Sequence, residues 1–215
     1  MCAALGDGEL RDLEAIMTHR RLDAGQSLVI EHDAGDYAFN VISGAVKLYK
    51  SLADGRAQIT GYLLPGDFLG LPLRGNYTIS AEAVAPTELC QFPREPLKRV
   101  FDKYEKVQER FLTVVHDDLV AAQEHMLLLG RKTATERLST FLVRLLRRIE
   151  RVGGGVDPLY VPLHRNDIAD YLGLTIETVS RTFTKLRNDA VIRLDKADQV
   201  FVLDRERLEE IAGID

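Results

Sequence analysis

Tryptophan is absent from this 215-residue chain, and cysteine occurs only twice, at Cys2 and Cys90. There is no CxxC pair, so the ligand spacing of a zinc site is missing, and two cysteines build no disulfide framework. No apolar run approaches the ~20 residues of a membrane span, and the N-terminus lacks the charged-then-apolar pattern of a secretory signal. The expectation is a cytoplasmic protein with no membrane partner. Net positive charge is missing as well: the formal charge is -5, so any contact with nucleic acid must come from a local basic surface. A nucleophile elbow, a phosphate-binding Gly-rich loop and a metal-ligand pair at helical spacing are all absent. The chain is therefore not expected to be an enzyme, and its dense charges read as solvated faces.

What is present falls into three textures. Leu10, Leu13, Ile16 and Met17 recur at helical spacing within Glu9 to Thr18 and predict a short amphipathic helix. From Leu22 to Phe92 short apolar segments alternate with turn signals such as Ser43-Gly44, Asp54-Gly55 and Pro65-Gly66-Asp67. Many short strands at regular spacing predict an antiparallel barrel or sandwich. From Arg94 the period becomes helical. Leu112, Val115, Leu119, Ala122, Met126 and Leu129 follow the alternating three-four spacing of a coiled-coil seam, with polar flanks at Asp117, Asp118, Gln123 and Glu124. These six residues are the expected dimerisation surface. A second helix is expected over Thr135 to Arg151, and Gly153-Gly154-Gly155 ends it, because ordering glycine costs the most backbone entropy.

The last quarter carries the functional signal. Residues Asn166 to Asn188 read NDIADYLGLTIETVSRTFTKLRN. Ile168, Tyr171 and Leu172 give a first helix its apolar side, Ala169 permits close approach, Gly173 supplies the turn, and Thr175 is a good N-cap for the next helix. Ile176, Val179, Phe183 and Leu186 then point inward. Glu177, Arg181, Thr184 and Asn188 form the opposite stripe, flanked by Thr178, Ser180 and Lys185. This is the pattern of a helix-turn-helix whose second helix enters the major groove. There Glu can accept from cytosine N4, Arg can bind guanine O6 and N7, and Ser can meet either kind of edge. A hairpin near Ile192 to Leu203 would be a wing, with its tip at Asp195 to Gln199. A plain helical hairpin with a charged face shows the same periodicity, so the pattern alone leaves that alternative open.

The run IADYLGLTIETVSRTFTKL resembles the recognition motif of the Crp/Fnr family, especially its Fnr-like and FixK-like branches. The likeness extends over nearly the whole chain through the Gly-punctuated segments Ser43 to Leu48 and Leu64 to Gly70. It implies an α+β fold: an N-terminal antiparallel, cyclic-nucleotide-binding-like β-roll (residues 1–102), a long dimerisation helix (103–134) and a C-terminal winged helix-turn-helix (135–215). It implies a homodimer that contacts a TTGAT-like palindrome in double-stranded promoter DNA and works with RNA polymerase, as an activator, in a circuit linked to oxygen limitation or redox state. Base contacts fall to Glu177, Ser180 and Arg181, and phosphate contacts to Arg165, Thr175, Thr178 and His164.

The same resemblance frames the question of an effector. Members that bind cyclic AMP resemble one another in a Gly-Glu-Leu followed by Arg-Ser or Arg-Thr. Here the segments read Gly66-Asp67-Phe68-Leu69-Gly70 and Asn76-Tyr77-Thr78-Ile79-Ser80, with no arginine for a charge-assisted phosphate contact. Cyclic nucleotide is not expected. An Fnr-type iron–sulfur cluster takes four thiolates. Cys2 and Cys90 resemble two of those ligands, a redox or cluster remnant, and only a longer natural N-terminus would restore a cluster. Cys90 otherwise reads as a small buried hydrophobe, and Cys2 as a terminal thiol. Haem, nitric oxide or another small effector is the alternative, but His19, His32, His116, His125 and His164 are scattered. An apolar seam uninterrupted at Ala122 favours pairing without a ligand. The expectation is no cofactor and no metal.

Overall fold

The structure is a computed structural model that describes residues 6–70, 75–151, 153–196 and 198–214. Cys2 lies outside the described residues. Two compact units, Met1–Ala122 and Gln123–Asp215, divide inside a single long helix.

The first unit begins with helix α1 (Asp7–Ile16), followed by strands β1 (Thr18–Leu22), β2 (Ser27–Val29), β3 (Tyr37–Ser43), β4 (Val46–Ser51), β5 (Ala57–Leu63), β6 (Phe68–Leu69), β7 (Ser80–Ala83) and β8 (Thr87–Pro93). They form two four-stranded antiparallel sheets, ordered β1-β8-β3-β6 and β2-β7-β4-β5. Alternation along the strands sends one set of side chains to a shared core: Leu22, Leu28, Phe39, Val41, Val46, Leu63, Ala81 and Leu89. Gly44 makes the turn from β3 to β4 with φ +85°, and a Cβ there would lie 2.4 Å from the Pro86 carbonyl oxygen. Only glycine fits both demands. Strands β1 and β8 lie next to each other through a register that joins Leu22 to Thr87, a long-range pairing that local periodicity does not reveal. Thr18, read from the sequence as the end of the first helix, begins β1.

Helix α2 (Arg94–Lys103) follows, and α3 (Glu105–Arg131) is the long helix. Between Pro96 and Gly130 the sequence holds no glycine or proline to mark a helix end. The structure breaks the helix at Tyr104, which is extended (φ -126°, ψ 105°). In that conformation the Tyr104 ring packs on a second cluster formed by Leu13, Ala38, Phe68, Phe92, Leu97, Val100 and Val107, and its hydroxyl donates to Asp12 Oδ2 at 2.9 Å. Cys90 packs half-buried against the same cluster.

The second unit holds the last turns of α3, then α4 (Ala134–Arg151), β9 (Leu159–Tyr160), α5 (Arg165–Leu172), α6 (Ile176–Asn188), β10 (Ile192–Lys196), β11 (Gln199–Val202) and α7 (Arg205–Ala212). A small antiparallel sheet runs β10-β11-β9. Helix α4 buries Leu138, Phe141, Leu142, Val143, Leu145 and Leu146 at the centre of this unit. No helix among the described residues is long and apolar enough to cross a membrane.

Candidate nucleic-acid interface

Helices α5 and α6 are joined by a short turn that local chemistry specifies. Gly173 adopts the left-handed conformation (φ 61°, ψ 43°) and ends α5, with its N–H donating to the Ala169 carbonyl. Leu174 donates to the same carbonyl at 3.0 Å, so the helix end is capped as glycine-terminated helices usually are. Thr175 then starts α6: its Oγ1 accepts from the Thr178 N–H at 3.2 Å, the N-cap the sequence predicts. Ile168, Leu172, Val179, Phe183 and Leu186 are buried between the helices and the rest of the unit.

The opposite face of α6 is open. Glu177, Ser180, Arg181, Thr184, Lys185 and Asn188 are all exposed, and Thr178, Arg181, Thr182 and Lys185 line a shallow depression on the helix. The Glu177 carboxylate is held below the ordinary range, first by its own backbone N–H and then by the Thr175 hydroxyl, with Arg181 adding a smaller attraction. It is an anionic acceptor at neutral pH. Arg181 makes no direct salt bridge among the described residues, which leaves its fork for an incoming partner. The hydroxyls of Thr182 and Thr184 bond back to the Thr178 and Ser180 carbonyls at 2.7 and 3.0 Å, so they are committed to the helix itself.

Ile176 departs from its expected place. It is 44% exposed at the head of α6 rather than turned inward. The first helical residue precedes the turn that packs, so its side chain faces outward beside Glu177. An apolar group there can meet a thymine methyl. The three-four spacing that joins Ile176 to Val179 misassigns it, because spacing alone does not show where the buried stripe begins.

The four expected phosphate-binding residues surround this face unequally. Arg165, the first residue of α5, sits over the Phe183 ring, its guanidinium carbon 3.4 Å from the centroid. Burial lowers its pKa to about 10, so it stays cationic at neutral pH, and its Nη1 has no hydrogen-bond partner among the described residues. Thr175 and Thr178 share a hydroxyl–hydroxyl hydrogen bond of 3.1 Å, which leaves them a reduced capacity for further contacts. His164 is exposed at the N-cap of α5. Strands β10 and β11 form the wing hairpin, with Lys196 opposite Gln199 next to its tip. Arg193 stacks on Phe201 at 3.9 Å and pairs with Asp195 at 3.2 Å.

Of the expected seam on α3, Leu112, Val115, Leu119, Ala122 and Met126 are exposed, while Leu129 is half-buried. Val120 and Leu127 are exposed too, whereas His125 and Leu128 are buried within the second unit. In the first unit a concavity of about 400 Å³ is lined by Phe68, Leu69, Gly70, Tyr77, Thr78, Ile79, Phe111, Leu112, Val114, Val115 and Asp118. Its described lining offers no cation. Burial, reinforced by Asp117, raises the pKa of Asp118, and this carboxyl would repel a phosphate. Among the described residues no group of three His, Cys, Asp or Glu side chains could hold a metal ion.

A β-roll of two packed sheets, a long helix with an uncovered apolar stripe and a winged helix-turn-helix together define a DNA-binding transcription regulator. Comparisons with known proteins agree. Residues 136–211 match the family model described as a Crp-like helix-turn-helix domain, and residues 19–104 match the cyclic nucleotide-binding domain. The chain is 39% identical over 213 residues to the nitrogen fixation regulation protein FixK of Bradyrhizobium diazoefficiens, covering 99% of this chain and 90% of that one. It is 41% identical over 221 residues to the transcriptional activator protein FnrL of Cereibacter sphaeroides, covering 100% and 88%. The solved structure of FixK2 from Bradyrhizobium japonicum is similar with a TM-score of 0.86 and 35% identity, over 91% of this chain and 97% of that one. The chain belongs to the Crp/Fnr family of transcription regulators, which are not enzymes. The α+β architecture and the family resemblance read from the sequence are both borne out.

Proposed function

We propose that the chain acts in the cytoplasm as a homodimeric activator that binds a palindrome with TTGAT-like half-sites and engages RNA polymerase, in a circuit tied to oxygen limitation or redox state. The observation that carries this reading is the open face of α6, where an anionic Glu177, an exposed Ser180 and an exposed Arg181 stand together. In this reading Glu177 accepts from cytosine, Arg181 forks to guanine, and Ile176 rests on a thymine methyl. Arg165, Thr175, Thr178 and His164 position the helix through phosphates, which carry no sequence information of their own. The apolar stripe Leu112, Val115, Leu119, Ala122, Met126 and Leu129 pairs with its copy. The names of the relatives, a nitrogen fixation regulation protein and transcriptional activators, support the activator role and the circuit.

A second reading has one specific observation behind it. The apolar concavity in the first unit has room for a small uncharged effector, so a ligand-gated regulator of the same fold is the alternative.

The test is a gel shift in air at fixed salt, with no added ligand, on a probe carrying TTGAT and ATCAA half-sites beside a scrambled probe. Specific binding is the expected result. A folded sample that fails to distinguish the probes overturns the ligand-free reading, and binding restored by a small apolar compound then establishes the alternative.

A further inference from the structure

The C-terminal ends of α3 and α5 meet at one side chain that neither the motif nor the family comparison singles out. Arg137, in the first turns of α4, donates from Nε to the Lys132 carbonyl at 2.8 Å and from Nη2 to the Leu129 carbonyl at 2.8 Å. Both acceptors belong to the end of α3 and the link that follows it. From Nη1 it donates to the Leu172 carbonyl at 2.8 Å and reaches the Gly173 carbonyl at 3.4 Å. These acceptors are the end of α5 and the turn of the helix-turn-helix. One guanidinium thus satisfies carbonyls that two helices leave without intrahelical partners, and its charge lies where the negative ends of both helix dipoles converge.

Two neighbouring contacts belong to the same junction. A Cβ on Gly173 would approach Leu129 Cδ2 to 3.2 Å and Arg137 Nη1 to 3.4 Å, so the turn glycine lies directly against this arginine and the end of α3. One turn earlier along α3, His125 stacks on Tyr171 of α5, with centroids 4.2 Å apart and planes within 16°. The last turns of α3 are thus joined to the first helix of the DNA-reading pair by a fork and by a stacked pair of rings.

We infer that Arg137 is a positioning residue: it fixes the orientation of α5 and α6 against the end of α3 and thereby sets the half-site spacing that a dimer accepts. The inference rests on the proposed function, because the end of α3 can govern spacing only if that helix pairs with its copy. A dimer reads two half-sites at a separation dictated by its own geometry. A fork to four carbonyls on two elements resists rotation between them, whereas a lysine ammonium supplies charge without the fork.

The experiment titrates the full-length protein against three fluorescent duplexes: the palindrome, the palindrome with one extra central base pair, and a single half-site. Arg137→Met and Arg137→Lys are compared with the parent, each checked for a cooperative thermal transition above the assay temperature. The parent should prefer the correctly spaced palindrome over the lengthened one. Loss of the fork should remove roughly 5- to 150-fold of that preference, the usual size of coupling between distinct sites, while single half-site binding changes little. Arg137→Lys should fall between parent and Arg137→Met. If Arg137→Met does not fold, the lysine variant decides alone. Folded variants that keep the spacing preference overturn the inference, and so does an equal loss on all three duplexes, which marks a purely structural role. A parent that binds no palindrome overturns the proposed function itself and the inference with it.

Discussion

Helices α3 and α6 each leave one face uncovered, and the two faces are chemical opposites. On α6 the open face carries Glu177, Ser180, Arg181, Lys185 and Asn188. On α3 it carries Leu112, Leu119 and Met126, exposed by 65, 56 and 65%. Charged groups in water cost nothing until a partner displaces the water, so a polar face awaits a polar partner whose hydrogen bonds replace those lost. An exposed apolar stripe is different: it stays unfavourable in water until another apolar surface covers it. The contrast fits the proposed function, in which α6 meets nucleic acid and α3 meets its own copy.

The largest expected effect tests whether the face of α6 depends on what lies behind it. Phe183 is buried and supports both the α5–α6 packing and the Arg165 guanidinium. Phe183→Ala should cost about 3–5 kcal/mol, as truncations of buried aromatics do, and denaturant unfolding will read it. An unchanged midpoint would mean that α6 holds its face without that core.

Next comes the α3 stripe itself. Leu119→Glu places a carboxylate where the proposed dimer excludes water, at a cost of about 3–5 kcal/mol once its partner surface is apolar. Sedimentation should show a monomer at concentrations where the parent is dimeric, while far-ultraviolet circular dichroism is unchanged. A variant that remains dimeric would break the assignment of this face.

Arg181→Ala acts on the other side of the comparison. If Arg181 forks to guanine as proposed, the variant should lose about 1–3 kcal/mol there and relax specificity at that base pair. A titration over four probes that differ at that pair checks both. Equal affinity of variant and parent for all four would remove Arg181 from base recognition.

The smallest effect lies on the inward face of α3. His125 is 8% exposed, and burial together with the nearby Arg144 and Arg137 charges lowers its pKa below the usual 6.5. The unfolded chain therefore binds the proton that the folded one resists. Stability should fall as the pH drops below 6.5 toward the lowered folded value, by at most about 1.4 kcal/mol per pH unit. Thermal melts at pH 7.5, 6.5 and 5.5 will show the slope, and His125→Phe should flatten it. A parent whose melting temperature is constant across this range would contradict the burial of a neutral imidazole.

Much of the interface was legible because its signals are local. Thr175, Gly173 and the spacing of Val179, Phe183 and Leu186 lie within a few turns of one another, and capping, left-handed turns and periodicity act over that range. The same logic found the exposed stripe of α3 from Leu112 to Met126. It stopped short where one face gives way to another. Ile176 follows the inward spacing and is exposed, whereas His125 and Leu128 lie outside the predicted seam and are buried.

The sequence by itself therefore determined the alternation of short strands, the long amphipathic helix, and a helix-turn-helix with Glu177 and Arg181 on one stripe and Ser180 beside it. Tertiary structure alone decided the pairing of β1 with β8, the break at Tyr104, the bed of Phe183 under Arg165 and the four carbonyls around Arg137. The division has a physical cause. A helix period, a cap or a turn is fixed by interactions among residues a few positions apart. A guanidinium that bridges Leu129 to Leu172 depends on chain segments brought together only when the core closes, and no local pattern encodes that meeting.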